Sequence, residues 1–334
     1  MKIRILIIAA LFAALPMQAQ KKEEKPKVHP DYLYGAYPLA RDFLQTMADE
    51  KARLLVLAAL EGWDNERVTK SYTKYTVKEL NVVSDKLEDD RLIRRGEQDY
   101  QISPGMPVIR ERDWLKIKDG LHRHVLEFTS MLQNNWAEIE AMATALQGSK
   151  SLPKERIMYE TVVSGILMGG LMDAFYEDKT LMPPGPLRGK SGNTRYYAWM
   201  TEGNLPEAVG KLKRELRESD NYRIISIGPE LPEERLNASD LRGKATVYEA
   251  DDALKYRRFI AVFSRDKLLS YFKNHRQEFL SQGALVSAGR YAQTREVFAW
   301  YYNALISGTV DELIAAKRIA PPEKSYTYAV RIPQ

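Results

Sequence analysis

Four histidines, His29, His122, His124 and His275, are the only imidazoles this chain could offer a metal. On a helix His122 and His124 point about 200° apart, so the HRH run is not a chelating pair, as an i, i+4 pair would be. Glu127 follows His124 by three residues and can share its face. Two ligands do not make a structural zinc site, so the sequence predicts no metal and no other cofactor. GPLRGKSG, from Gly185, mimics a phosphate-binding loop but leaves three residues where that motif needs four. The position that should be glycine is Pro184, which has no N–H to offer a phosphate. A flexible basic turn is the reading that fits. With no Cys and no G-x-S-x-G elbow, neither a thiol nor a serine-elbow nucleophile is indicated. Carboxylates in AEIEA and PELPEE belong to solvated faces, and their spacing singles out no catalytic pair.

Contact chemistry is what remains. Nineteen Tyr and five Trp cluster in DYLYGAY, TRYYAW and FAWYY, which could form amphipathic surfaces. The candidate binding residues are Tyr196, Tyr197 and Trp199, beside the Gly-rich basic loop carrying Arg188, Lys190 and Arg195, because loops carry binding more often than cores do.

The setting of such a surface is read from the start of the chain. Lys2 and Arg4 precede eleven apolar residues, Ile5 to Leu15, then Pro16 and small or polar residues to Ala19. That is the form of a signal peptide, and the apolar run is well short of the roughly 20 residues that span a bilayer. The expectation is residues 1–19 as a signal peptide, 20–30 as a flexible tether, and a periplasmic or secreted product without disulfides or a transmembrane segment. The formal charge of +5 falls to +1 from Val28 onward, once Lys2, Arg4 and the tether's four Lys and two Glu are set aside. A nearly neutral body has little general attraction for phosphate.

Positioning elements follow from periodicity. DEKARLLVLAALEG is an apolar helix closed by Gly62; NERVTKSYTKY and TVKELNVVSDKLEDDRLI are two more; RRGEQDYQISPG is a two-stranded turn. From Arg110 to Gln147 apolar residues step by threes and fours, which predicts one long helix ended by Gly148. PEAVGKLKRELRES reads as helix, NYRIISIG, KATVYEA and YRRFIAVFS as strands, and RDKLLSYFKNHRQEFLSQG as helix again.

One pattern recurs. ILMGGLMDAFYEDKTLMPP, residues 166–184, aligns without gaps on ALISGTVDELIAAKRIAPP, residues 304–322, and TRYYAW then matches SYTYAV. Asp85, Leu87, Arg91 and Ile93 sit at the same offsets earlier in the chain. The expected element has an Asp that starts or caps a helix, an apolar residue two later packing inward, and a basic residue before a buried aliphatic that enters a strand.

The stretch LEDDRLIRRGEQDYQISPG resembles the last helix and wing of winged-helix proteins of the MarR and PadR kind, over about 48–105. The resemblance implies a third helix in the DNA major groove. That helix, Thr76 to Asp90, carries Lys78 and Lys86 against Glu79, Asp85, Glu88, Asp89 and Asp90, a net −3 that phosphate repels.

The expected fold class is α+β, mostly helical, with two or three winged-helix-like units, a long connecting helix and a small β-containing insertion. Its boundaries are 31–109 for unit 1, 110–148 for the connecting helix, 149–203 for unit 2, 204–283 for the insertion and 284–334 for unit 3. The expected function is an exported, non-catalytic binding or scaffold protein of the bacterial cell envelope, with a protein or envelope polymer as partner. A carboxylate-based envelope hydrolase and a winged-helix nucleic-acid binder are the alternatives.

Overall fold

The computed structural model describes residues 32–95, 102–150, 152–179, 182–189, 192, 194–202, 205, 212–232, 236–241, 245–286 and 294–333. The fold is α+β with helices in the larger share, and among the described residues no helix is long and apolar enough to cross a membrane.

The chain begins with β1 (Leu33–Tyr37) and a helical stretch of α1 (Arg41–Ala48), α2 (Glu50–Leu60), α3 (Asn65–Ser71) and α4 (Val77–Asp89). Thr76 opens α4 with a reciprocal capping box to Glu79. A small antiparallel pair follows, β2 (Ile93–Arg95) with β3 (Ile102–Pro104). Then come β4 (Val108–Ile109), α5 (Glu111–Asn134) and α6 (Trp136–Ala145). The single long helix expected over 110–148 is therefore broken. Asn135, at φ −102° and ψ 10°, leaves helical geometry and turns the chain between α5 and α6.

A second helical run goes from α7 (Lys154–Tyr159) through a π-helical segment, Glu160–Gly170, into α8 (Leu171–Asp178). Three strands follow: β5 (Leu187–Arg188), β6 (Thr194–Arg195) and β7 (Tyr197–Thr201). Next are β8 (Lys213–Ser219), β9 (Tyr222–Gly228), β10 (Thr246–Tyr248) and α9 (Ala250–Phe263). A short π-helical segment, Ser264–Leu268, continues α9 into α10 (Leu269–Asn274), and α11 (Arg276–Leu285), α12 (Thr294–Ala315) and β11 (Tyr326–Arg331) complete the chain.

Two expectations in this region are corrected. KRELRES is strand β8, not helix: it pairs antiparallel with β9 from Lys213↔Gly228 to Ser219↔Tyr222, across a two-residue turn whose Asp220 has φ +49°. Asp-Asn tolerates the left-handed geometry such hairpin turns demand. YRRFIAVFS is helix, not strand, because Ala253, Tyr256, Ile260 and Phe263 bury one face at helical spacing behind an acidic first turn.

The sheets reveal a duplication. In the first, β7 lies between β1, antiparallel, and β4, parallel. In the second, β11 lies between β9, antiparallel, and β10, parallel, with β8 on the outer edge. Each half therefore runs strand, parallel-edge strand, long helix, kink, helix, further helix, central strand. Residues 204–283 and 284–334, expected as separate units, share one sheet.

Burial on the long helices agrees residue by residue. Asp113, Trp114, Ile117, Leu121, His124 and Val125 match Asp252, Ala253, Tyr256, Ile260, Phe263 and Ser264. Beyond the π-helical segment, Phe128, Thr129 and Leu132 match Leu268, Leu269 and Phe272, one residue later. One extra residue absorbed without breaking a helix is what a π-bulge does. The kinks coincide as well, Asn135 with His275 at φ −95° and ψ 10°.

The halves interlock through one contiguous core. α5 of the first half packs on α12 of the second, and α9 of the second packs on the π-helical segment of the first. At these crossings a Cβ on Gly308 would stand 2.7 Å from Val125, and one on Gly170 would stand 2.6 Å from Ser264. Both crossings join matched residues, and both need glycine for the close approach.

The repeated junction is a helix end. Arg91, Lys179 and Lys317 all adopt positive φ, of 55°, 60° and 54°. Arg91 and Lys317 close paired terminal bonds, Arg91 N to Glu88 O with Leu92 N to Leu87 O, and Lys317 N to Ile314 O with Arg318 N to Leu313 O. Leu87, Phe175 and Leu313 are fully buried, as expected. The expected role of the Asp is corrected: Asp85, Asp173 and Asp311 lie inside helices rather than at their N-caps.

Candidate functional site

An open cleft of about 1150 Å³ lies where the two halves and the helical stretch meet. Its floor is Met168, Met172, Asp173 and Tyr176, from the π-helical segment and α8, with Tyr37 at the end of β1. One wall is the start of α1, with Arg41 and Asp42, together with Lys86 and Asp90 at the end of α4 and Tyr196 before β7. The facing wall is β8, from Arg214 to Glu218, with Arg223 of β9. α4 brings Lys86 and Asp90 to the cleft, and its C-terminal turn closes on the left-handed Arg91.

Charge in the cleft is balanced. Five cations, Arg41, Lys86, Arg214, Arg217 and Arg223, meet five carboxylates, Asp42, Asp90, Asp173, Glu215 and Glu218. Some are paired across it: Arg41 grips Glu215 with two bonds of 2.7 Å, tying the first half to β8. Arg223 pairs with Glu218 at 3.0 Å. Arg214 reaches Ser164 Oγ at 3.2 Å. Asp173 keeps its side chain open to the cleft, yet the walls desolvate it enough to raise its pKa, against the pull of Arg214. Asp90 is raised too, by desolvation first.

β8 is an edge strand. Among the described residues it pairs only with β9, and Leu216 in its middle is 45% exposed. Such an edge presents unpaired N–H and C=O groups to any extended chain entering the cleft.

The expected contact residues divide. Tyr196 lines the cleft, although little of it is exposed. Arg195 is exposed and donates to the Gly185 carbonyl at 3.1 Å. Lys190 lies outside the described residues. For Arg188, Tyr197 and Trp199 the contact-surface reading is corrected, since all three are about 1% exposed. Tyr197 and Trp199 sit in the central strand, where both sheet faces are covered. Arg188 donates to the carbonyls of Arg91 at 2.6 Å, Gly105 at 3.1 Å and Tyr196 at 3.3 Å, and pairs with buried Glu296 at 2.6 Å. It is a structural clamp between hairpin, loop and α12. Sequence reasoning missed the cleft's β8 wall because KRELRES was read as helix; the Asp-Asn turn after it was the available signal.

His122 is exposed and His124 buried, so they do diverge on α5. The nearest partners of His124 come from far along the chain: His275 and Glu278.

No family model matches the chain, and neither does any curated protein or solved structure.

Proposed function

We propose that this protein is an exported, non-catalytic binding or scaffold subunit of the bacterial cell envelope that receives an extended segment of a partner protein along β8. The observation that carries the reading is the seven-residue edge strand Lys213–Ser219 forming one wall of an open cleft. Main-chain pairing supplies affinity in such an arrangement, and side chains on alternate positions supply selectivity. Balanced charge along the cleft favours a peptide carrying both signs over a polyanion. We read α2–α4 with the β2–β3 hairpin as a winged-helix-like unit whose work is to build the cleft wall. A duplex-binding role is disfavoured: Arg95 of the hairpin is already paired with Asp85 at 2.6 Å and Glu88 at 3.0 Å, and α4 is acidic.

The test is site-specific photocrosslinking in native cells, with the reactive residue at Leu216 or Lys86 in the cleft and at exposed Leu254 as control. The expected result is one protein adduct shared by the two cleft positions and missing from the control. Adducts that are identical at all three positions, or none at the cleft positions, overturn the proposal.

A further inference from the structure

We propose that His124, His275 and Glu278 form a binding site for a zinc-type divalent cation, separate from the cleft and independent of the function proposed for it. Glu278 Oε2 lies 3.4 Å from His124 Nε2 and 3.4 Å from His275 Nδ1, and all three donors fall within 4.8 Å of one another. Metal–ligand bonds of about 2.0–2.1 Å in a tetrahedron give edges of about 3.3 Å, so two edges are already in place. Three protein donors leave a fourth position for water.

His124 Nε2 carries the argument. The side chain is fully buried and this nitrogen has no hydrogen-bond partner. One tautomer accommodates all of its neighbours. Nδ1 lies 2.7 Å from Tyr271 Oη, and Tyr271 donates its own proton to Glu127 Oε2 at 3.1 Å. In the tautomer that carries its proton on Nδ1, the ring donates to Tyr271 and turns a lone pair at Nε2 toward a carboxylate oxygen. In that tautomer a fully buried nitrogen and a part-buried carboxylate face each other as acceptors, an arrangement that a cation between them would satisfy. The Tyr271–Glu127 chain is the kind of outer partner that fixes a metal-binding histidine in its ring orientation.

The rest of the surroundings fits. Arg123 holds Glu278 Oε1, leaving Oε2 for the metal. His275 and Glu278 are each about one-third exposed, which gives an ion a way in. Local structure supplies the spacing: His275 sits at the kink and Glu278 three residues later in the first turn of α11, which packs against α5. The matching corner of the first half, where α6 packs on α9, carries Asn135, Glu138 and Phe263 instead. The duplicated scaffold thus holds the three donors at one of two equivalent places.

Isothermal titration of the chelator-stripped full chain with zinc at neutral pH tests this, with melting curves confirming that each protein is folded. One ion per chain is expected, retained in His122→Ala and His29→Ala and lost in His275→Ala, Glu278→Gln and His124→Phe. The last variant installs the residue found at the matching position, so its fold should survive. Tyr271→Phe should weaken binding by about 10–100-fold. Cobalt(II) should give the visible absorption of a four-coordinate ion in the wild type, His122→Ala and His29→Ala, and none in His275→Ala, Glu278→Gln or His124→Phe. A folded wild type that takes up no zinc, or binding unchanged in His275→Ala and His124→Phe, overturns the proposal.

Discussion

The halves built around β7 and β11 repeat strand for strand and helix for helix, and they part company in what is inserted between corresponding strands. Between β1 and β4 the first half carries α1–α4 and the β2–β3 hairpin, whereas between β9 and β10 the second carries one connecting segment. Between its left-handed Lys179 and its central strand the first half also carries β5 and β6, where the second passes directly from Lys317 to β11. The scaffold is shared and the additions are not. Every cleft residue outside the scaffold comes from those additions or from β8, which has no counterpart in the first sheet. The additions and β8 thus supply most of the cleft's walls, and the shared scaffold supplies its floor.

Three experiments would break or sharpen this contrast. The largest effect is expected at Arg188, the addition that reaches across to Glu296. Arg188→Ala strands a buried carboxylate, already raised in pKa by desolvation, and three carbonyls; breaking one partner of such a pair costs about 3–5 kcal/mol. Denaturant unfolding should show it, while Arg195→Ala stays within about 0.5 kcal/mol. Glu296→Gln in the Arg188→Ala background should restore part of the loss. A small effect of Arg188→Ala would mean that the loop is not clamped.

Glu160 comes next. It is fully buried at the start of the π-helical segment, with Oε1 3.0 Å from Arg156 Nε and Oε2 without a partner. Desolvation raises its pKa to about 7 in spite of Arg156. Because the folded state then binds the proton more tightly than the unfolded chain, stability falls as pH rises from about 4.5 to about 7 and levels off above. Glu160→Gln keeps the Arg156 contact and removes the charge, so it should stabilise the protein at neutral pH by on the order of 3 kcal/mol and flatten the pH dependence of Tm. An equal pH slope in both proteins would show that the carboxylate is not desolvated.

The smallest effect tests the symmetry itself. Gly170→Ala and Gly308→Ala each force a methyl into the facing long helix, which should cost about 1–3 kcal/mol by overpacking. Similar losses in unfolding free energy support equivalent crossings; a loss at one site alone would show that the two crossings differ.

Several of these features could be read from the chain. The buried Leu87, Phe175 and Leu313 and the basic residue four later were visible as spacing, because a helix end and the strand after it are local events. The aligned Asp was given the wrong job, since an Asp one turn inside a helix and an Asp at its cap look the same in a string of letters. KRELRES and YRRFIAVFS exchanged their structures for a related reason: in short stretches an edge strand and an amphipathic helix place their apolar residues too similarly for periodicity to separate them. The contact surface was misjudged at Arg188, Tyr197 and Trp199, because a charged loop residue gives no sign of being buried until its carboxylate partner arrives from Glu296.

By itself the sequence determined what short-range physics controls: a mostly helical α+β chain, free of cysteine, whose net charge from Val28 onward is close to zero, with a junction written more than once. Tertiary structure alone decided that the later two junctions close matching, interlocked halves, that β8 forms an open edge beside a cleft, and that His124 meets His275 and Glu278. Those outcomes depend on contacts between residues more than a hundred positions apart. Local periodicity records which face of an element is apolar, and only packing selects the face it meets.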